Sequence, residues 1–299
     1  MRILITGKNG QLGKSIQHSI LNSTDIDQSH KHNYTFVGRD GIDFCNDDNI
    51  LEYFKRNSFD VIINCAAYTQ VERAEHEQDL ANQVNHLAVK QLAHIANRDG
   101  IKLIHISTDY VFDGNATTPY TELDTPNPSI MYAKTKLLGE QAVQNTMVKN
   151  AIIIRSGWIY SQHGKNFVDS MLERSKNGEK LKIVTDQIGT PVYARDLIAV
   201  IFCILNSKKF EQEGFATSVY HYSNLGQCSW YEFAKEAFSI NKVKFHVVPI
   251  VTEQSPSPIK RPLYTVLSKD KISKEFNIEI PTWKSSLEDY FKLTNKSLK

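Results

Sequence analysis

The first thirteen residues constrain this chain more than any other stretch. An apolar segment, Arg2–Thr6, runs into Gly7-Lys8-Asn9-Gly10-Gln11-Leu12-Gly13, and a helical pattern follows. At such a β-to-α turn the chain reverses tightly, brings bare backbone up to a ligand and lets the helix pack on the strand. A β-carbon would obstruct each of these. The new helix also offers unpaired N–H groups and the positive end of its dipole to a pyrophosphate. Gly7, Gly10 and Gly13 are therefore candidate residues of a dinucleotide site.

The rest of the chain repeats the rhythm. Ile3–Ile5, Thr35–Val37, Val61–Asn64, Leu103–Ile106 and Ala151–Ile154 read as buried strands, and Gln11–Leu21, Asp47–Arg56, Leu80–Asn97 and Tyr132–Asn145 have helical spacing. Continuous apolar strands alternating with helices predict an α/β fold with a doubly wound parallel (Rossmann) sheet. Past Trp158 helices are expected at Phe167–Lys176, Ala194–Leu205 and Trp230–Phe238, the last opened by a Ser229/Glu232 capping box. Val219–Tyr222 reads as a strand and Pro249–Pro262 as mostly loop. The partition expected is a dinucleotide-binding domain over 1–160, rejoined by 193–222. A smaller α+β substrate-binding domain then comprises 161–192 and 223–299.

Charge and composition exclude several classes. Lys plus Arg number 35 and Asp plus Glu 33, a net of +2, so nothing favours nucleic acid or an acidic membrane surface. No apolar run approaches the roughly 18–20 residues that cross a bilayer, and the N-terminal apolar run is too short for a signal peptide. Cys45, Cys65, Cys203 and Cys228 are scattered, which speaks against disulfides and zinc and for a cytoplasmic protein. Cys65 reads as buried and inert. His30-Lys31-His32 reads as a surface loop rather than a metal site, and Lys292–Lys299 as a frayed basic end.

The end of the second strand reads Phe36-Val37-Gly38-Arg39-Asp40. Arg39 suits the 2′-phosphate of NADP, because a guanidinium binds phosphate as a two-pronged donor; Asp40 could instead serve the ribose of NAD. NADPH is the expected cofactor, with NADH open. Asp43 lies close enough in sequence to reach the adenine region.

Further on, Tyr132 and Lys136 stand four apart at a helix start, so both leave one face. Ser107-Thr108-Asp109 ends the strand before it, where parallel strands border a cofactor crevice. These groups match the needs of carbonyl reduction. A hydride creates an alkoxide, Tyr132 donates a proton, Thr108 hydrogen-bonds the oxygen, and Lys136 favours tyrosinate and holds the nicotinamide ribose. Bringing a phenol from about 10 to near 7 takes about 4 kcal/mol of differential interaction, which Lys136 is expected to supply.

With these motifs the chain resembles the extended short-chain dehydrogenase/reductases, and within them the dTDP-4-dehydrorhamnose reductases. The resemblance runs nearly end to end. It rests on the glycine turn, Asn64-Cys65-Ala66-Ala67-Tyr68-Thr69, Ser107-Thr108-Asp109-Tyr110-Val111-Phe112, Tyr132-Ala133-Lys134-Thr135-Lys136, Arg155-Ser156-Gly157-Trp158, Asp186-Gln187-Ile188-Gly189-Thr190-Pro191 and Arg261-Pro262. It implies NADPH-dependent reduction of the 4-keto group of dTDP-4-dehydro-L-rhamnose, supplying dTDP-L-rhamnose for cell-surface polysaccharide. Thr108, Tyr132 and Lys136 would be catalytic. Gly10, Gln11 and Leu12 would cradle phosphates, and Ala66, Ala67 and Tyr68 would line the cofactor. Thr69, Asp109 and Trp158 would meet the dTDP-sugar, with Arg261 as a diphosphate anchor.

Three positions depart from the family pattern. Some members link a dimer through magnesium held by a glutamate in the first helix, where this chain has Ser15. Arg195 stands where another acidic ligand is expected. No metal and a monomer or weak homodimer are the resulting expectations. The third is Gly157, where hydroxyl residues are common. Two other functions stay open: an epimerase or dehydratase acting on another nucleotide sugar, and a non-catalytic NADP-binding regulatory subunit like that of methionine adenosyltransferase.

Overall fold

A computed structural model describes residues 1–21, 32–243 and 247–296. Six parallel strands form the central sheet: β1 (Arg2–Thr6), β2 (Asn33–Val37), β3 (Val61–Asn64), β4 (Lys102–Thr108), β5 (Ala151–Ser156) and β10 (Ser218–His221). Their order is β10-β5-β4-β3-β1-β2. The winding reverses between β1 and β3. That reversal opens a crevice at the carboxyl ends of the strands, the place where such sheets take ligands.

The inner strands bury both faces, with alternate residues entering opposite cores, while edge strand β2 keeps Asn33 and Thr35 exposed. Leu4, Ile62, Leu103 and Ile153 pack beneath helices α2 (Asp47–Arg56), α4 (Ala88–Asp99) and α5 (Met131–Thr146). Ile3, Ile5, Val61, Ile63, Ile104 and Ile152 face helices α1 (Gln11–Leu21) and α7 (Ala194–Leu205). The apolar runs are continuous because a parallel sheet has no wet face.

Between β3 and β4 the expected single helix is helical from Gln78 to Asp99, but in three pieces. A π-helical turn at Gln83–Leu87 separates α3 (Gln78–Asn82) from α4. This turn brings Asn85 into the core. Its amide accepts from the Tyr68 N–H at 2.8 Å and donates to the Tyr68 carbonyl and the Thr135 hydroxyl, both at 3.1 Å. Gly139 lets α5 come close here, since a β-carbon would lie 2.2 Å from the Asn85 carbonyl oxygen.

Paired short strands build the remainder. β6 (Ile159–Tyr160) lies along β9 (Val192–Tyr193), β7 (Leu181–Val184) along β12 (Val247–Ile250), and β8 (Ile188–Gly189) against β11 (Cys228–Ser229). Helices α6 (Phe167–Lys176), α8 (Trp230–Ile240) and α9 (Trp283–Lys296) cover them. Tyr160, Tyr193, Phe233 and Tyr290 form an aromatic core there. The Ser229–Glu232 capping box is present. The helix continues to Lys296, so the expected fraying does not begin at Lys292; its Nζ pairs with Asp289 at 2.9 Å. Residues 297–299, like His30 and Lys31, lie outside the described residues.

One buried ion pair ties the sheet to α5. Arg155 of β5 donates to both oxygens of Glu140, at 2.7 to 3.1 Å, and both side chains are buried. Removing one partner of such a pair strands a charge and costs about 3–5 kcal/mol. Glu140→Ala is therefore expected to lose that much stability in urea titration. A loss under about 1 kcal/mol, the range of exposed pairs, would contradict this role.

Candidate active site

The glycine turn has the geometry its sequence demands. Gly7 is left-handed at φ +74°, and a β-carbon on it would lie 2.8 Å from the Ala66 nitrogen. A β-carbon on Gly13 would come within 2.3 Å of the Gly7 oxygen, so Gly13 serves the packing of α1 on the turn. Gln11 and Leu12 open α1 beside the crevice. A cavity of about 350 Å³ continues outward, lined by Gly7, Arg39, Asp43, Ala66 and Ala67. Lys8 holds the Asp40 carboxylate at 2.5 Å. That bond keeps Asp40 below the usual carboxylate range and leaves Arg39 as the cation lining this cavity.

The central cleft, about 690 Å³, joins the glycine turn to the second lobe. Thr108 ends β4, while Tyr132 and Lys136 come from the first two turns of α5. All three line the cleft, and the Thr108 side chain lies near enough to the Tyr132 phenol to oppose its rise on burial. Ser107 lines the cleft as well, but its hydroxyl donates to Glu140.

Electrostatics correct one expectation. Lys136 does not make Tyr132 a stronger acid in this structure. Burial pushes the phenol up to about 12, with the Thr108 contact opposing and Asp109 adding to the rise. The Lys136 Nζ turns toward the sheet, donating to the Ile106 carbonyl at 2.7 Å. Burial brings it down to about 8, against the pull of Glu140. Tyr132 is thus held in its protonated form, the form that can donate.

At the far end Thr69, Asp109, Trp158 and Arg261 also line the cleft. Trp158 has a left-handed backbone, φ +51°, and stacks on Trp230 at 3.5 Å between ring centroids. Sequence reasoning passed over Trp230; the aromatic residue directly after the Ser229 cap was the available signal. Buried Ser156 Oγ and the Trp158 and Trp230 Nε1 atoms have no partner among the described residues, so a polar ligand is what would satisfy them. Arg261 is not a lone guanidinium, since its Nη2 reaches Glu72 at 3.2 Å. Asp109 lies under Gly157, where any β-carbon would fall 2.1 Å from its Oδ1. Glycine at 157 makes room for that carboxyl.

Tyr68 is not among the residues that line either cavity. Asn85 grips its backbone and its phenol hydrogen-bonds Glu77, which turns the ring into the core. Cys65 lines the cleft, but burial pushes its thiol up to about 12. The Ser15 hydroxyl folds back on the Gln11 carbonyl at 2.7 Å, and Arg195 is exposed. Among the described residues no group of three or more His, Cys, Asp or Glu could hold a metal. No described helix is long and apolar enough to cross a membrane.

A doubly wound sheet with a glycine-turn crevice and a second lobe across the cleft is the architecture of an extended short-chain dehydrogenase/reductase. Comparison with known proteins narrows the class. The family model described as the RmlD substrate binding domain matches residues 1–295. The dTDP-4-dehydrorhamnose reductase of Sinorhizobium fredii is 34% identical, with 96% of this chain and 95% of that protein covered. The Bacillus anthracis dTDP-4-dehydrorhamnose reductase in complex with NADP superposes with a TM-score of 0.89 at 34% identity, covering 98% of this chain and 99% of that one. A Clostridium acetobutylicum ortholog gives 0.89 at 37%, covering 99% and 100%. The chain belongs to the dTDP-4-dehydrorhamnose reductase family.

Burial holds the Asp109 carboxyl up at about 6, against an ordinary 3.8. Its charged form is therefore penalised in the folded state, and the wild type loses stability as pH rises through that interval. Asp109→Asn removes the penalty. Its stability relative to wild type is expected to grow between pH 4 and 7.5 by up to about 3 kcal/mol. A difference independent of pH in urea titrations would contradict the assignment.

Proposed function

We propose that this chain reduces the 4-keto group of dTDP-4-dehydro-L-rhamnose to dTDP-L-rhamnose with NADPH, in the cytoplasm, for cell-surface polysaccharide. The observation that carries the proposal is the convergence of Thr108, Tyr132 and Lys136 on one cleft wall, between the glycine turn and the Trp158/Arg261 end. Residues 1–160 with 193–222 serve the cofactor, and 161–192 with 223–299 serve the sugar nucleotide. The inward-folded Ser15 and the exposed Arg195 support a metal-free monomer or weak homodimer.

The turn around Gly7, Gly10, Gln11 and Leu12 fits a pyrophosphate, and Arg39 fits a 2′-phosphate. When bound, NADPH supplies the hydride. The protein's part is to place the ketone and deliver one proton. Thr108 and Tyr132 line the same cleft, where both can reach one carbonyl oxygen and stabilise the charge that develops on it. Tyr132, neutral at physiological pH because it is buried, gives its phenolic proton to that oxygen. Lys136, anchored on the Ile106 carbonyl, orients the ribose. Trp158 and Arg261 hold the sugar and diphosphate, and Thr69 and Asp109 border them.

One assay separates this reading from its rivals. One NADPH is expected to be consumed per dTDP-4-dehydro-L-rhamnose reduced. Tight NADP binding without turnover would favour a regulatory subunit. Conversion of a nucleotide sugar without net NADPH loss would favour an epimerase or dehydratase. Tyr132→Phe is expected to lower turnover at least about a hundredfold, the usual size of general acid catalysis, with NADPH affinity kept. Near-normal turnover in that variant removes tyrosine from the mechanism.

Arg39→Ala gives an independent check on the cofactor. Fluorescence titration is expected to show NADPH weakened more than NADH. An equal loss for both would refute the 2′-phosphate assignment.

A further inference from the structure

Behind Lys136 lies a buried polar chain that the reduction itself does not use. Asn64 ends β3 and His105 lies inside β4, and both are buried. The Ala66 backbone N–H is shared between the Asn64 Oδ1 at 3.2 Å and the Thr6 hydroxyl oxygen at 3.3 Å, and the Thr6 hydroxyl itself donates to that Oδ1 at 2.6 Å. A backbone N–H can only donate, so the amide oxygen faces Ala66 and the amide nitrogen faces His105. That nitrogen lies 3.0 Å from His105 Nδ1. An amide nitrogen also only donates, so Nδ1 must accept and carries no proton. Burial, with the Lys136 charge adding to it, holds the imidazole well below its ordinary value, so it is neutral. Its one proton is on Nε2.

His105 Nε2 lies 3.5 Å from the Lys136 Nζ. An ammonium has three donors and no acceptor, so it would meet this N–H donor to donor. A free amine meets it with a lone pair and still donates to the Ile106 carbonyl. We propose that Asn64 and His105 are positioning residues for Lys136: Asn64 fixes the imidazole as the Nε2–H tautomer, and that N–H favours the neutral amine over the ammonium. The inference rests on Lys136 being the working lysine of the cleft.

The other groups facing Lys136 do not cancel this effect. Glu140, one turn along α5, attracts the ammonium but is committed to Arg155 and Ser107. Cys65, at the end of β3, is a neutral thiol. Tyr132, one turn earlier, is a neutral phenol. The tautomer therefore acts in the same direction as burial. Lys136 stays able to change protonation near neutral pH, when charge enters the cleft, instead of being a permanent cation.

NMR of the full chain reads both halves of the proposal without substrate. In protein carrying ¹⁵N-histidine, the His105 ring is expected to show a bare Nδ1 and a protonated Nε2 from pH 6 to 8. A protonated Nδ1, or an imidazolium, would overturn the proposal. Asn64→Asp, of the same shape, accepts from Nδ1 and is expected to move the proton there. In ¹³C-lysine protein the Lys136 midpoint then rises by about one pH unit or more, a tenfold change. A flipped ring with Lys136 unmoved would overturn the control over the lysine. So would a raised Lys136 with the proton still on Nε2, which is plain attraction by a carboxylate. Should Asn64→Asp not fold, the wild-type ring measurement still decides. Neither readout needs turnover, so failure of the reductase assay would leave this test intact, and the reverse holds too.

Discussion

The seating of α5 on the carboxyl end of β4 governs the rest of the site. Two buried side chains one turn apart make that contact. Lys136 donates to the Ile106 carbonyl, and Glu140 takes Arg155 from β5 and Ser107 from β4. The two carboxylate oxygens receive a forked guanidinium, which fixes rotation as well as distance. With α5 held this way, Tyr132 emerges against Thr108. Gly139 permits the close approach of α5 to the π-helical turn on its other side. A slip of α5 along the strand would part the phenol from the hydroxyl while leaving the sheet intact.

Burial sets the chemistry of the cleft more than pairwise attraction does. Tyr132 and Asp109 are pushed up and Lys136 down, so each is driven toward its uncharged form. A site poised this way meets a neutral ketone without competing internal charge. It also keeps the Tyr132 phenol protonated. Cations stand instead at the two ends, with Arg39 lining the cavity beyond the glycine turn and Arg261 lining the far end of the cleft.

Much of the fold was legible because local and global signals agreed. The glycine turn, the all-apolar strands and the Ser229 cap each carry their structure in a few residues. The short pairs β6–β9, β7–β12 and β8–β11 were not, since strands of two to four residues have no period to read and owe their pairing to distant segments. Sequence brought Thr108, Tyr132, Lys136, Trp158 and Arg261 to one cleft. It could not give the direction of the Tyr68 ring, which follows from the hold of Asn85 on its backbone across the fold. It also misjudged the acidity of Tyr132, because spacing places an ammonium nearby but cannot weigh it against burial. Nor could spacing reveal the Asn64–His105 chain, which depends on the register of β1, β3 and β4.

A crystal structure with NADP and dTDP-L-rhamnose bound tests the central claim most directly. The Tyr132 hydroxyl and the Thr108 hydroxyl should both lie within about 3.2 Å of the sugar O4, with Lys136 on the nicotinamide ribose. A sugar whose O4 is out of reach of Tyr132, or a nicotinamide seated away from Lys136, would contradict the account.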